Sequence, residues 1–152
     1  MLFDPFLLAV VQTASCLFMA GVIWVVQLVH YPAFPFVAKD QFSAFHTFHS
    51  ARITWIVGPA MGVELVSAGL LCVAFPHSLL WWSNMTGVLL IWASTVFLSI
   101  PHHNALALGF SSAADSLVHS NWPRTIIWTI RSIALCLALL MLRGYPGSSA
   151  GF

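Results

Sequence analysis

The sequence predicts an all-α protein, an integral membrane four-helix bundle with interfacial helices on one side. Of its 152 residues, 60% are hydrophobic and 6% are charged, and the mean hydropathy is +0.92. A soluble domain typically carries about 25% charged residues, and a disordered chain combines low hydrophobicity with high charge, so both classes are disfavoured. The formal net charge of +1 also argues against a nucleic-acid partner, which would need a basic surface.

Four apolar runs are the second observation behind this prediction. Each is about 20 residues long, the length that a helix needs to cross a bilayer, and backbone groups in lipid must pair within the helix. We expect one domain over residues 1–152, with spans at residues 6–30, 53–75, 79–100 and 123–142. The lipid bilayer is therefore the first expected partner.

Prolines and a polar residue predict where these helices begin and end. Because proline disfavours a helical conformation at the preceding residue, the first helix should stop before Pro32 and the third at Pro101. Asn121 is expected to be the N-cap of the fourth helix, with Pro123 in its first turn.

Two longer connections, residues 31–50 and 102–122, lie at the same end of the predicted bundle. Asp40 can begin a helix that continues into the second span, lies partly in the interface and kinks near Pro59. Residues 105–119 are apolar and small and predict a second, short interfacial helix. The residues capable of chemistry lie mostly in these two connections.

The few charges near the ends of the runs predict an orientation. Lys39, Arg52 and Arg124 lie at the end with the long connections, and Arg143 lies at the other end. Because cytoplasmic segments carry an excess of Lys and Arg, the first end is expected to be cytoplasmic and both termini outside.

Histidines are the main candidates for a cofactor site. Five of the seven are predicted within about two helical turns of the same interface: His30, His46, His49, His102 and His103. Imidazole is a ligand for iron, copper and haem iron. We interpret His46, His49 and His103 as metal ligands for iron or copper, and His30 with His102 or His103 as haem ligands. The alternative is that these histidines only anchor the helix ends at the interface.

Two charges fall inside the predicted spans. On insertion scales such residues cost about 2.5–3.5 kcal/mol each, and they usually pair or have a function. From the helical rise, Arg131 lies about 12 Å and Glu64 about 18 Å from the same interface, within reach of each other. We expect an interhelical ion pair. It either fixes the register of the helices or lines a polar cavity, in which case Glu64 and Arg131 are candidate catalytic residues.

Small residues within the spans favour close packing of the helices. The glycines expected to allow this approach are Gly21, Gly58, Gly62, Gly69 and Gly87.

Three stretches of the sequence resemble a group of uncharacterised bacterial four-helix membrane proteins. They are residues 24–32, residues 45–53 with Gly58-Pro59 and Glu64, and residues 121–125. More distantly, the turn at residues 101–104 and the Asn121…Arg124-Thr125 entry to the fourth helix are similar to the anthrone-oxygenase-like membrane family. The resemblance implies a multi-pass protein of the bacterial inner membrane, with small apolar or aromatic substrates at the edge of the bilayer.

Three hypotheses for function follow from these observations. The first is a metal- or haem-dependent oxidoreductase or oxygenase that acts on a small apolar molecule at the histidine-rich end. The second is a non-enzymatic accessory subunit, packed as a homo-oligomer or within a larger membrane complex. The third is a small transporter that uses a polar cavity between Glu64 and Arg131.

Overall fold

The computed structural model describes residues 4–108 and 113–143, except for the side chains of residues 113–115, 142 and 143. The described chain is helical throughout, apart from short turns. Its α-helices are α1 (Pro5–Val25), α2 (Lys39–Ala74), α3 (Leu79–Ser94), α4 (Ile100–Ala107) and α5 (Ala113–Arg143). Two π-helical turns, Val26–His30 and Thr95–Ser99, and one 3₁₀ helix, Tyr31–Phe36, extend or join them.

These elements form four continuous helical segments that are long and apolar enough to cross a membrane. They are Pro5–Phe36, Lys39–Ala74, Leu79–Ala107 and Ser116–Met141. Helix α1 packs against α2 and α5, and α3 packs against the same two helices, so the four long helices form a ring. The expectation of an all-α protein with four such helices is confirmed.

Two prolines do not end their helices, so these two expected boundaries are wrong. The first segment continues beyond Pro32 as a 3₁₀ helix to Phe36. The third continues beyond Pro101 as α4 to Ala107. In both places the proline occupies the first turn of a new helical segment, where its missing N–H removes no bond within that segment.

A π-helical turn precedes each of these prolines. The N–H of Tyr31 donates to the carbonyl of Val26, and the N–H of Ile100 donates to the carbonyl of Thr95. Each bond spans five residues instead of four, so the turn is wider than in an α-helix. The two irregular turns let the helices continue where the sequence alone predicts that they stop.

Helix α2 begins at Lys39, which confirms the expected start near Asp40, and continues through Pro59 as one helix of 36 residues. Helix α5 begins earlier than expected, so the assignment of Asn121 as an N-cap is wrong. Asn121 lies inside α5, fully buried, and its Nδ2 donates to Oε1 of Gln27 at 2.8 Å. The segment 105–119 is divided between α4 and α5, and residues 109–112 lie outside the described chain.

The predicted ion pair between Glu64 and Arg131 is confirmed. Nη1 of Arg131 lies 3.4 Å from each carboxylate oxygen of Glu64, and both side chains are buried. Oε2 of Glu64 also accepts a hydrogen bond from Nε1 of Trp128 at 2.9 Å. Nε of Arg131 donates to Oδ1 of Asn84 at 3.0 Å. These bonds join α2, α3 and α5, and removing one partner of such a pair typically costs about 3–5 kcal/mol.

Among the glycines expected to permit close packing, Gly87 alone has that role within the described chain. A Cβ atom added at Gly87 would lie 2.5 Å from Cδ of Arg131. At the other four the added atom would meet no heavy atom within 4 Å: Gly21, Gly58, Gly62 and Gly69. Gly87 therefore makes room for the side chain of Arg131 from the neighbouring helix α5.

We expect Gly87→Ala to destabilise the bundle by about 1–3 kcal/mol, because the new methyl group displaces Arg131 from its bonds to Glu64 and Asn84. The measurement is unfolding in detergent followed by circular dichroism. Gly62→Ala is the matched control, since its methyl group meets open space. Alanine stabilises a helix by about 1 kcal/mol relative to glycine, so this substitution should not destabilise the bundle. Equal effects of the two substitutions would contradict the assignment.

Candidate active site

The 3₁₀ helix after α1 places two aromatic side chains in the interior at one end of the bundle. A 3₁₀ helix has three residues per turn, so Tyr31 and Phe34 point in the same direction. Both are buried, whereas Phe36 is 90% exposed. Phe34 lies among three imidazole rings, with ring centroids 5.2 Å from His30, 6.1 Å from His46 and 6.0 Å from His49.

Four histidines come together at this end of the bundle, and we call them the histidine cluster: His30, His46, His49 and His103. His46 and His49 are three residues apart in α2 and share a face, as the sequence predicts. The ring of His49 lies 3.8 Å from that of His30, centroid to centroid, and 6.3 Å from that of His103. The π-helical turn at the end of α1 supplies His30, and α4 supplies His103.

A hydrogen-bonded chain runs from a tyrosine through two histidines. The hydroxyl of Tyr31 lies 3.1 Å from Nε2 of His103, and Nδ1 of His103 lies 3.0 Å from Nε2 of His46. A hydrogen bond between two ring nitrogens needs one donor and one acceptor, so at least one of these imidazoles is neutral. The chain joins the end of the first segment to α4 and α2.

The other two imidazoles have unused nitrogen atoms. Nε2 of His30 and Nε2 of His49 are buried and have no hydrogen-bond partner. Both residues line a groove of about 560 Å³ on the outer face between α1 and α2, and the groove is otherwise mostly apolar. We call it the outer groove.

A buried arginine stands beside the cluster. Arg124 in α5 is 6% exposed, and its Nη1 donates to Oγ1 of Thr95 at 3.3 Å. Its Nη2 donates to Oδ1 of Asn121, and the guanidinium also interacts with the hydroxyl of Tyr31. Its Nε–H is buried and has no acceptor.

A cavity of about 290 Å³ is lined by His103 and Arg124 among other residues, and we call it the central cavity. One part of its wall is apolar and includes Met19, Ile23 and Met61. The other part carries the polar side chains Tyr31, Ser50, Thr54, Thr95, Ser99, His103, Asn104 and Arg124. An apolar pocket with a few convergent polar groups is the usual form of a small-molecule site, and this one lies near the lower limit of about 300–1,000 Å³.

The structure brings together four of the five clustered histidines predicted from the sequence. In the described chain His102 has no hydrogen bond or ring contact with these four, so it lies outside the histidine cluster. In the described chain, no set of three or more His, Cys, Asp or Glu side chains is arranged to hold a metal ion. Glu64 and Arg131 are not among the residues that line the central cavity.

Comparisons with known proteins give no relative for this arrangement. No protein-family model, curated protein or solved structure matches the chain.

Sequence reasoning missed two principal residues of the site, Tyr31 and Arg124. Tyr31 was expected outside the first helix, and Arg124 was counted as a charge that sets orientation. Both lie in stretches that carry the family resemblance, but neither was assigned a role in the site. A signal for Arg124 was present, because it lies one turn after Asn121 near the start of a long apolar run. The central cavity itself depends on how four helical segments pack, which no local pattern encodes.

The hydrogen-bonded chain predicts a specific response to Tyr31→Phe. Loss of the hydroxyl should shift the ¹⁵N resonance of His103 Nε2 and leave the bond between His103 and His46 in place. The measurement is ¹⁵N NMR of histidine-labelled protein in detergent. His77, exposed in the turn between α2 and α3, is an internal reference that should not move. Unchanged ¹⁵N resonances of His103 would contradict the hydrogen-bonded chain from Tyr31 to His46.

Proposed function

We propose that this chain is an integral membrane enzyme of the oxidoreductase or oxygenase class, acting on a small apolar molecule that carries an ionisable oxygen. One observation carries the proposal: Tyr31 and His103 line the central cavity and are hydrogen-bonded in series to His46. An apolar cavity with a chain of proton-carrying groups at one wall suits general acid–base chemistry.

The proposed role of the hydrogen-bonded chain from Tyr31 to His46 is to move a proton away from the bound molecule. With the proton of His103 on Nδ1, its Nε2 accepts the hydroxyl proton of Tyr31. A substrate O–H placed at Tyr31 then gives its proton to the tyrosine oxygen. Meanwhile His103 passes its Nδ1 proton to Nε2 of His46. The substrate is left as an enolate or phenolate, the electron-rich form that reacts with an oxidant.

Anthrone is a suitable first probe, because the chain resembles the anthrone-oxygenase-like family and anthrone forms an enol. Its oxidation consumes one O₂ and gives anthraquinone and water. We expect protein in nanodiscs to accelerate this reaction over empty nanodiscs. Tyr31→Phe and His103→Gln should each lower the rate by about 10²–10⁴-fold, the usual contribution of a general base. Anthraquinone formation is followed by absorbance.

The control for these variants is His77→Gln, which changes a histidine in the exposed turn at the other end of the bundle. Its rate should equal that of the unmodified protein. A rate in the unmodified protein no greater than in empty nanodiscs would overturn the proposed activity on this substrate class.

A metal ion is part of the proposal, and two residues fit it. His30 and His49 have buried, unpartnered Nε2 atoms, whereas Nε2 of His46 and both ring nitrogens of His103 are already hydrogen-bonded. His30 and His49 are therefore the first candidate ligands for iron or copper, both of which bind imidazole. Such an ion would supply oxygen activation or electron transfer.

We expect protein purified from cells supplied with iron and copper to carry metal that falls in the His30→Ala/His49→Ala double variant. Elemental analysis measures the metal, and an absorption spectrum in the Soret region reports haem, the other cofactor that the histidines suggest. His77→Ala should keep the metal content of the unmodified protein. Metal-free protein, or metal unaffected by the double variant, would argue against these ligands.

The membrane location proposed here is the bacterial inner membrane, with the histidine end on the cytoplasmic side. The length and hydropathy of the four helical segments support insertion. Two exposed cations, Lys39 and Arg52, lie at the histidine end and support this orientation. Arg124 is buried, so it no longer counts towards the charge at that end.

A further inference from the structure

We infer that the central cavity binds its ligand as an anion, with one negatively charged oxygen group held by Arg124 and an apolar body against the opposite wall. This inference rests on the proposed function and names the chemical class of its ligand. It comes from the charge balance of the buried side chains, which is independent of the hydrogen-bonded chain from Tyr31 to His46.

None of the described acidic side chains neutralises Arg124. Asp4 caps α1 and accepts the N–H of Phe6, and Asp40 is exposed at the start of α2. Glu64 is paired with Arg131. The side chain of Asp115 is not among those that the structure describes. Its backbone lies nine residues before Arg124 in α5, which is about 13 Å along the helix.

The hydrogen-bond partners of Arg124 are neutral groups. Thr95 and Asn121 accept from its two terminal nitrogens, and the third neighbour is the hydroxyl of Tyr31. Arginine stays charged in proteins, and a buried charge is costly unless an opposite charge or a full set of hydrogen bonds compensates it. The guanidinium therefore has capacity left for an anion, which its planar N–H groups bind well.

Unpaired donors belong to three residues that line the central cavity. Nε of Arg124, Oγ of Ser99 and Oγ of Ser50 are buried, lack hydrogen-bond partners and belong to residues that line the cavity. Arg124 is more than nine-tenths buried, as is Ser99 at 3% exposed. A carboxylate, enolate or phenolate oxygen accepts several hydrogen bonds and gives up none, so it complements these three donors.

The apolar body of the ligand follows from the rest of the wall. Val22, Val26 and Ile53 line the central cavity on one side and the outer groove on the other. These three side chains separate the cavity from the outer groove where α1 contacts α2, and they add to the apolar part of the cavity wall. This apolar wall complements a ligand whose anionic group is attached to an apolar body.

The test compares two probes of the same shape, 1-naphthoate and the neutral 1-naphthamide. Binding is measured by equilibrium dialysis to the protein in nanodiscs of zwitterionic phosphatidylcholine. We expect naphthoate to bind about 10- to 100-fold more tightly than naphthamide, the range for a hydrogen-bonded charge. Equal affinities, or no binding of either probe, would overturn the inference.

Variants of Arg124 assign the preference to this residue. Arg124→Gln should abolish the preference for naphthoate and retain the binding of naphthamide, while Arg124→Lys should keep part of the preference. Arg52→Gln is the matched control, because Arg52 is an exposed arginine at the same end, lying 5.3 Å from the ring centroid of Phe48. A preference that survives in Arg124→Gln, or that changes in Asp115→Asn, would contradict the assignment.

Two sources of the anion are separated by the lipid composition. With phosphatidylglycerol added to the nanodiscs, naphthoate should keep its affinity, because the occupant is a small molecule. Competition by phosphatidylglycerol would assign Arg124 to a lipid phosphate and overturn the small-molecule ligand. The outcome is independent of turnover, so a failure of anthrone oxidation and a failure of charge preference are distinguishable.

Discussion

The burial of two arginines in an apolar bundle is the constraint on which the rest of the structure depends. Arg124 and Arg131 are seven residues apart in α5, two helical turns, and therefore face the same side. Both are 6% exposed. Arg131 meets the carboxylate of Glu64 and the amide of Asn84, and Gly87 leaves space for its side chain. Because three helices must stay in register to keep this arrangement, the ion pair sets the frame in which the cavity near Arg124 forms.

Irregular backbone turns then shape the end of the bundle nearest Arg124. The π-helical turn Thr95–Ser99 directs Thr95 to Arg124 and places Ser99 in the cavity wall. The turn Val26–His30 carries Gln27, which binds Asn121, and leads into the 3₁₀ helix with Tyr31. Single π-helical turns are often found at functional sites. At this end the α-helical geometry is interrupted on both sides of the cavity. Each irregular turn contains or leads to a polar side chain in the cavity wall.

The sequence predicts the architecture well because apolar runs and helical rise are local properties. The four segments, the start of α2 and the pair of Glu64 with Arg131 follow from counting residues along a helix. The helix ends predicted from Pro32 and Pro101 were wrong. Both prolines lie where a new helical segment begins, and they remove no hydrogen bond there. The histidine cluster was predictable by topology, and its four members are among the five histidines named from the sequence. The exclusion of His102 was not predictable, because the direction of each ring depends on packing between helices.

Unpartnered polar atoms alone do not distinguish the proposed site from the rest of the interior. Nδ2 of Asn84 is also buried without a partner, yet Oδ1 of the same side chain accepts from Arg131, whose charge Glu64 already neutralises. At Arg124, three conditions coincide: an uncompensated charge, unused donors on a cavity wall, and space for a ligand. An unused donor costs about 1–3 kcal/mol, and a bound anion recovers that cost at several donors together. The unpaired donors lower the stability of the fold. A bound anion pairs with them, so that free energy contributes to binding of the ligand.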